Sequence, residues 1–331
     1  MYDEMGRVHG CLAGLAVGDA MGRPTELLLN YRRIERRYGR VTGLVGRDAG
    51  MVTDDTRLTL TVADAILANG GIVDADGLID SWKDNPEFAW RKFLRSFNRR
   101  DGFWIGEHIV AWAGRLGLPG HLAGLLNPSW LAAGNEAAMI MAPVGILFRG
   151  RPEEAMRAGR DLGRACITGP ALDVAGMWAA CIAEALACGA TVGSVLEAAV
   201  SFSTDRVRGY VDRALALSKG YSDPYSARAE LYRCCLQPVF IDARETVPIA
   251  LSMFAIAEGD PMTAILGGAN FGRDSDTIAG MAGLLSGALA GFGAIDVGAY
   301  AKVTRANDFD LGRYAERLLA IGSAPEVAQG E

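Results

Sequence analysis

Asp274-Ser275-Asp276-Thr277-Ile278-Ala279-Gly280-Met281-Ala282-Gly283 sets two carboxylates and two hydroxyls directly ahead of an apolar run rich in small residues. The run predicts a helix over 277–292 with the acids at its start, where orphan N–H groups and a partial positive charge favour anions. Far upstream, Thr53-Asp54-Asp55-Thr56 repeats the arrangement ahead of a second apolar periodic run, which stops at Asn69-Gly70-Gly71. Either stretch alone reads as N-cap material. Brought together, their four carboxylates would repel and raise one another's pKa unless cations lay between them. Oxygen-only ligands of this kind suit magnesium or manganese, not zinc.

Helical periodicity extends over most of the remaining chain. Met5 to Met21 reads as a helix with Gly10, Gly14 and Gly18 on one face, and Thr53 to Asn69 places Leu58, Val62, Ala65 and Ile66 at core spacing. Further helices are expected over 74–83, 152–166, 172–188, 192–202, 207–219, 247–258, 262–269 and 311–321. No alternating strand of useful length appears. Half of the 331 residues are hydrophobic and only 8% are aromatic, a balance that favours packed helices over a β-sandwich. The expected fold is therefore all-α: a single-domain orthogonal multi-helix bundle over 1–322, followed by a frayed polar tail over 323–331. Residues 84–130 hold Trp90, Trp104, Trp112, Trp130, His108 and His121. They read either as a packed helical excursion or as a lid giving aromatic faces to the acidic cleft.

A net charge of −6 argues against a nucleic-acid partner. The basic run from Arg32 to Arg40 reads as a solvated helix face; that from Arg91 to Arg100, interleaved with Phe93 and Phe97, is a candidate for phosphate or adenine contacts. Six cysteines show no Cys-x-x-Cys pair and read as buried thiols in a reducing cytoplasm. The uncharged stretch from Thr277 to Ile295 approaches a membrane span in length, but the spacing of Gly283, Gly287 and Gly291 equally suits a closely packed soluble helix. No membrane partner is expected. The three histidines, His9, His108 and His121, suggest no serine–histidine nucleophile.

Four segments in order carry a family resemblance: Gly10 to Gly22 with Pro24-Thr25-Glu26; Thr53 to Thr56; Gly134-Asn135-Glu136-Ala137-Ala138-Met139 with Pro143-Val144-Gly145; and Gly272 to Ala279. Together they resemble the ADP-ribosylglycohydrolases, the group that includes dinitrogenase-reductase-activating glycohydrolases and ADP-ribosyl-acceptor hydrolases. The resemblance implies two Mg2+ or Mn2+ ions. It places Thr53, Asp54 and Asp55 on one ion, Asp274, Thr277 and Glu26 on the other, and Asp276 as the bridge. Five carboxylates would bring a charge of about −5, most of which two divalent cations return. Asp19 is expected to support the site from a helix end. Glu26 and Asp55 are the implied catalytic residues, Glu26 as a mobile acid or base. Hydrolysis at the anomeric carbon would build positive charge on the ribose, which nearby anions favour.

The departures from the family pattern cluster near the expected substrate pocket. Glu136 stands in place of a glycine, Ile140 in place of an arginine, Gly169 in place of a histidine, and Phe271 and Arg273 where small residues are common. The implied substrate-binding residues are Asn135, Glu136, Ala137, Met139, Gly169, Phe271 and Gly272. Kept metal ligands with a rebuilt pocket favour a small NAD- or nucleotide-derived ribosylated molecule over an ADP-ribosylated protein. A non-catalytic ligand-binding relative and a metal-dependent pyrophosphohydrolase are the readings from other classes.

Overall fold

A computed structural model describes residues 3–83 and 133–322 of the chain. The aromatic-rich stretch over 84–130, its basic cluster and the expected tail over 323–331 lie outside the described residues. Among the described residues there are sixteen α-helices and no strand. Before residue 84 come α1 (Glu4–Gly22), α2 (Tyr31–Tyr38), α3 (Asp54–Asn69) and α4 (Ala75–Lys83). After residue 132 come α5 (Glu136–Met139), α6 (Ala142–Leu147), α7 (Pro152–Gly163), α8 (Pro170–Ala185), α9 (Val192–Ser201) and α10 (Asp205–Ser218). The chain continues with α11 (Pro224–Cys234), α12 (Ala243–Ile256), α13 (Pro261–Ala269), α14 (Ser275–Ala290), α15 (Val297–Asn307) and α16 (Leu311–Gly322).

Local chemistry explains most of the helix starts. Asp3, Thr53, Asp223, Asp242, Asp260 and Asp296 each accept a backbone N–H of the first turn that follows them, and Thr191 forms a capping box with Ser194. Pro152, Pro170, Pro224 and Pro261 occupy first helical positions, where the missing N–H costs nothing. α5, α6, α11 and α15 lie outside the expected set, α2 falls on the basic run read as a solvated helix face, and α12 starts at Ala243, four residues before the expected Val247, so that Pro248 falls inside it. Asp242 accounts for the early start of α12: it caps the backbone of Arg244 at 2.8 Å and pairs with its guanidinium at 2.7 Å.

The element that positions the site is the pair α1 and α14. The two helices run antiparallel with glycines interlocked along the seam. A Cβ placed on Gly14 would lie 2.0 Å from the Gly283 carbonyl oxygen, one on Gly10 2.4 Å from that of Gly287, and one on Gly18 2.2 Å from that of Ala279. Such backbone approach is open only to residues without a side chain. At one end of the seam Arg7 is buried and donates to the carbonyls of Ala288, Ala185 and Ala187, closing the C-termini of α14 and α8. At the other end the last turn of α1 meets the first turn of α14, with Gly22 against Ser275 and Asp276. The seam therefore delivers the acids of α14 to the point where α1 hands over to the segment carrying Glu26.

Expected buried thiols are found at Cys11, Cys166, Cys181 and Cys235, whereas Cys188 is exposed and Cys234 half-buried; none of the six, all among the described residues, is in a disulfide. No helix among the described residues is long and apolar enough to cross a membrane. His9 stacks on Phe292 and hydrogen-bonds Tyr300 at 2.8 Å, which gives it a packing role away from the acids.

Candidate metal centre

Asp19 sits in the last turn of α1, where the helix dipole disfavours an anion, and its side chain is fully buried. It accepts the backbone N–H groups of Thr53 at 2.9 Å and Thr56 at 3.1 Å, together with the Thr56 hydroxyl at 2.5 Å. This one carboxylate thereby fastens the start of α3 to the end of α1. Thr53 caps α3, and its hydroxyl donates to Asp55 Oδ2 at 3.0 Å; the Thr277 hydroxyl reaches the same oxygen at 3.3 Å from α14. Asp274 receives the side-chain amide of Asn135. Glu26 is positioned by its neighbour Thr25, whose hydroxyl bridges Gly22, Ala269 and Ser275 within 2.9 Å.

Two carboxylate groups result. Oxygens of Asp19, Asp55 and Asp276 lie within 4.8 Å of one another, as do oxygens of Glu26, Asp274 and Asp276. Asp276 belongs to both. Burial, followed by repulsion from the neighbouring acids, pushes Asp54, Asp55, Asp274 and Asp276 well above the usual carboxylate range. Burial raises Asp19 against the opposing pull of its threonine donors. Burial likewise raises Glu26 to about 7, opposed by a hydrogen bond to Asp276 and supported by repulsion from Asp19. Among the described residues no ion pair involves any of these six acids; the Arg23 guanidinium, close to Asp48, reaches Glu26 only through its field.

The donor set fits hard divalent cations. Oδ2 of Asp54, Oδ1 of Asp55 and Oδ1 of Asp276 are buried without a hydrogen-bond partner, the condition that metal coordination relieves. All the ligand atoms are oxygens, and among the described residues no cysteine or histidine joins either group.

A model of the ADP-ribosylglycohydrolase family matches residues 2–326. The chain belongs to the ADP-ribosylglycohydrolase family. Family membership supports hydrolysis of a glycosyl bond, in a family that acts on ADP-ribosylated substrates. The Escherichia coli (strain K12) protein YegU is 29% identical over 336 residues, spanning 94% of this chain and 96% of its own. A protein of Archaeoglobus fulgidus is 28% identical over 289 residues, spanning 85% and 87%. In fold the chain is similar to a solved ADP-ribosylglycohydrolase-related protein complex, with a TM-score of 0.71, 22% identity, and 97% and 100% of the two chains covered.

The remaining sequence-derived positions fall in different surroundings. Asn135 faces Asp274 and Thr246. Glu136 is 4% exposed, with both carboxylate oxygens buried and unpartnered. Ala137 and Met139 are buried in the core, and the Met139 carbonyl accepts the Thr59 hydroxyl. Gly169 is left-handed at the start of α8. Phe271 packs its ring fully inside against Tyr232, and Gly272 turns left-handed beside the Tyr232 hydroxyl. Asp19 was legible as more than a capping residue through one signal, a carboxylate at the unfavourable end of an apolar, glycine-striped helix. The partners of Arg273 had no such signal.

Proposed function

We propose that this chain is a binuclear metal-dependent glycohydrolase using two Mg2+ or Mn2+ to cleave an N- or O-ribosyl bond of an ADP-ribosyl compound. The observation that supports it most is Asp276 standing in two three-carboxylate groups at once, in a chain of this family. In this reading Asp19 and Asp55 hold one ion with Asp276, and Glu26 and Asp274 hold the other. Thr53, Asp54 and Thr277 complete the surroundings. Bound ions would supply Lewis acidity, holding the ribose hydroxyls and lowering the pKa of a water. Glu26, hydrogen-bonded to Asp276 and grouped with Asp274, is placed to take the proton of the entering water. The Asp55 carboxylate would favour the positive charge that develops as the bond from the anomeric carbon breaks.

The same proposal takes a small NAD- or nucleotide-derived molecule as preferred substrate over an ADP-ribosylated protein. Supporting it is Glu136, a buried acceptor with no donor of its own, next to the residue that holds Asp274. Such a group suits a positively charged or donor-rich leaving group. The test is product analysis after incubating metal-loaded protein with a panel of ADP-ribosyl compounds. Free ADP-ribose or ribosyl phosphate is expected. Release of AMP would turn the reading to a pyrophosphohydrolase, and tight binding without turnover to a non-catalytic relative. Within the panel, kcat/KM should favour the small molecules, and Glu136→Gly should narrow that preference; equal or better use of ADP-ribosylated protein by the parent would remove it.

A further inference from the structure

We propose that Arg273 is a positioning residue for the Asp274 side of the centre, and that the first turn of α12 is the bracket through which it acts. The proposal rests on the two-ion reading above. Arg273 directly precedes Asp274 and has φ of 64°, following Gly272 at φ of 80°. An L-residue in that region is disfavoured, and glycine would sit there without strain. The chain nevertheless carries an arginine, and its guanidinium is engaged through Nε and one terminal nitrogen. It donates twice to Glu245, from Nε and from a terminal nitrogen, each at 2.7 Å, and that terminal nitrogen also donates to the Gln237 carbonyl at 2.6 Å. The Arg273 side chain is 13% exposed and that of Glu245 is 0% exposed.

The adjacent residue of the same turn holds Asp274 from another direction. Thr246 Oγ1 accepts the Asn135 side-chain amide at 3.2 Å, and that amide also donates to Asp274 Oδ2. An NH2 group has two hydrogens, so both bonds are made by one residue. Glu245 therefore fixes the backbone just before the ligand, and Thr246 fixes the donor on the ligand's carboxylate. The Arg273 carbonyl in turn accepts the backbone N–H of Leu27, the residue after Glu26, at 3.1 Å. One bracket thus couples both acids that complete the second group with Asp276. The Asp19 and Asp55 group hangs on α1 and α3, and among the described residues no hydrogen bond runs from Asp19 or Asp55 to Glu245, Thr246 or Arg273.

A forked guanidinium is what this geometry requires; a lysine keeps the charge but cannot make two parallel bonds. Supporting residues around a metal typically alter its affinity by about 10–100-fold when lost. The experiment is Mn2+ titration of the chelator-stripped full-length protein by calorimetry, with electron paramagnetic resonance of the loaded protein. For Arg273→Lys, one of two ions should weaken by about 10–100-fold. The other should be unchanged, and the spin-coupled pair signal should give way to a single-ion spectrum at intermediate Mn2+. The double variant Arg273→Gly, Glu245→Gln relaxes the backbone and leaves no buried charge unpaired. It should melt near the parent yet show the same loss of one ion. If the parent binds two ions and both variants match it, the inference alone is overturned. Loss of both ions in proportion to a fall in melting temperature would also overturn it, since that is what a general loosening of the fold produces. A parent that binds no pair of ions overturns the two-ion reading first.

Discussion

Asp173, in the first turn of α8, and Asp276, in the first turn of α14, are buried almost equally, at 2% and 3% exposure. Asp173 meets Arg160 at 2.5 Å, Arg206 at 2.9 Å and the Thr204 hydroxyl at 3.0 Å. Asp276 meets Glu26 and the fields of Asp274, Asp55 and Asp19. A buried carboxylate has to be neutralised by something. Around Asp173 the protein supplies the cations from α7 and α10. Around Asp276 it supplies further anions, and the compensation is left to ions from solution. Glu136 is a third case: among the described residues it has no arginine partner and stands in neither acidic group. Burial alone raises it to about 7, the mark of a group that folds in its neutral form.

The largest expected effect separates the first two cases outright. Asp276→Ala should abolish pairwise divalent binding in calorimetry and cut kcat/KM on an ADP-ribosyl substrate by roughly a thousandfold, the several kcal/mol a metal contributes to transition-state charge. Retained two-ion binding would end the claim that Asp276 serves both groups.

Glu136 provides a pH test of the third case. Its folded-state pKa lies above the ordinary 4.5, so protonation favours the folded protein. This contribution is whole below about pH 4.5 and lost as the pH rises through about 7. Between those limits Glu136→Gln should remove a pH-dependent loss of about 3 kcal/mol, at most about 1.4 kcal/mol per pH unit. The variant should therefore melt higher than the parent at pH 8; parallel profiles would show that Glu136 finds a partner.

The seam that holds the acids together can be strained directly. Gly14→Ala places a methyl 2.0 Å from a backbone oxygen and should cost about 1–3 kcal/mol, read in a denaturant titration. Gly209→Ala, exposed in α10 with nothing within reach of the new methyl, should instead stabilise by about 0.5–1 kcal/mol. Equal responses would mean that the α1–α14 contact is looser than its geometry.

The finest discrimination is one of sign. In chelator, Asp276→Asn removes a repelling charge and should raise stability by about 1–2 kcal/mol; with saturating Mg2+ it should lower it. Asp173→Asn should lower stability by about 1–2 kcal/mol in both conditions, a discounted figure because Arg160 and Arg206 both reach solvent. Metal-dependent behaviour of Asp173→Asn, or metal-independent behaviour of Asp276→Asn, would erase the distinction between the two regions.

Much of the fold was legible because helix starts are local. Asp or Thr ahead of an apolar periodic run, or proline at the first helical position, announces a helix within one turn of chain. α11 and α15 escaped for a related reason: α15 buries only Ala299 and Val303 and α11 four residues, so neither has a long apolar stripe. α5 and α6, at 4 and 6 residues, are too short to show a helical period. At the site, the acids of both motifs were readable as neighbours in sequence. The surroundings of the substituted pocket positions were not. Phe271 and Ile140 stand out as substitutions in a linear comparison, and only the packed chain shows that both side chains are buried.

By itself the sequence determined that helices begin at the Thr53–Thr56 and Asp274–Thr277 motifs with carboxylates at their starts, and that glycines recur every fourth residue along two apolar runs. Those features depend on interactions within one turn of backbone. Only the tertiary structure decided that Gly10, Gly14 and Gly18 face Gly287, Gly283 and Ala279, and hence that Asp19, Asp55 and Asp276 meet. It also decided that Glu245 and Thr246 flank Asp274. Such pairings come from which surfaces exclude water against each other, a property of the whole packed chain that no short stretch encodes.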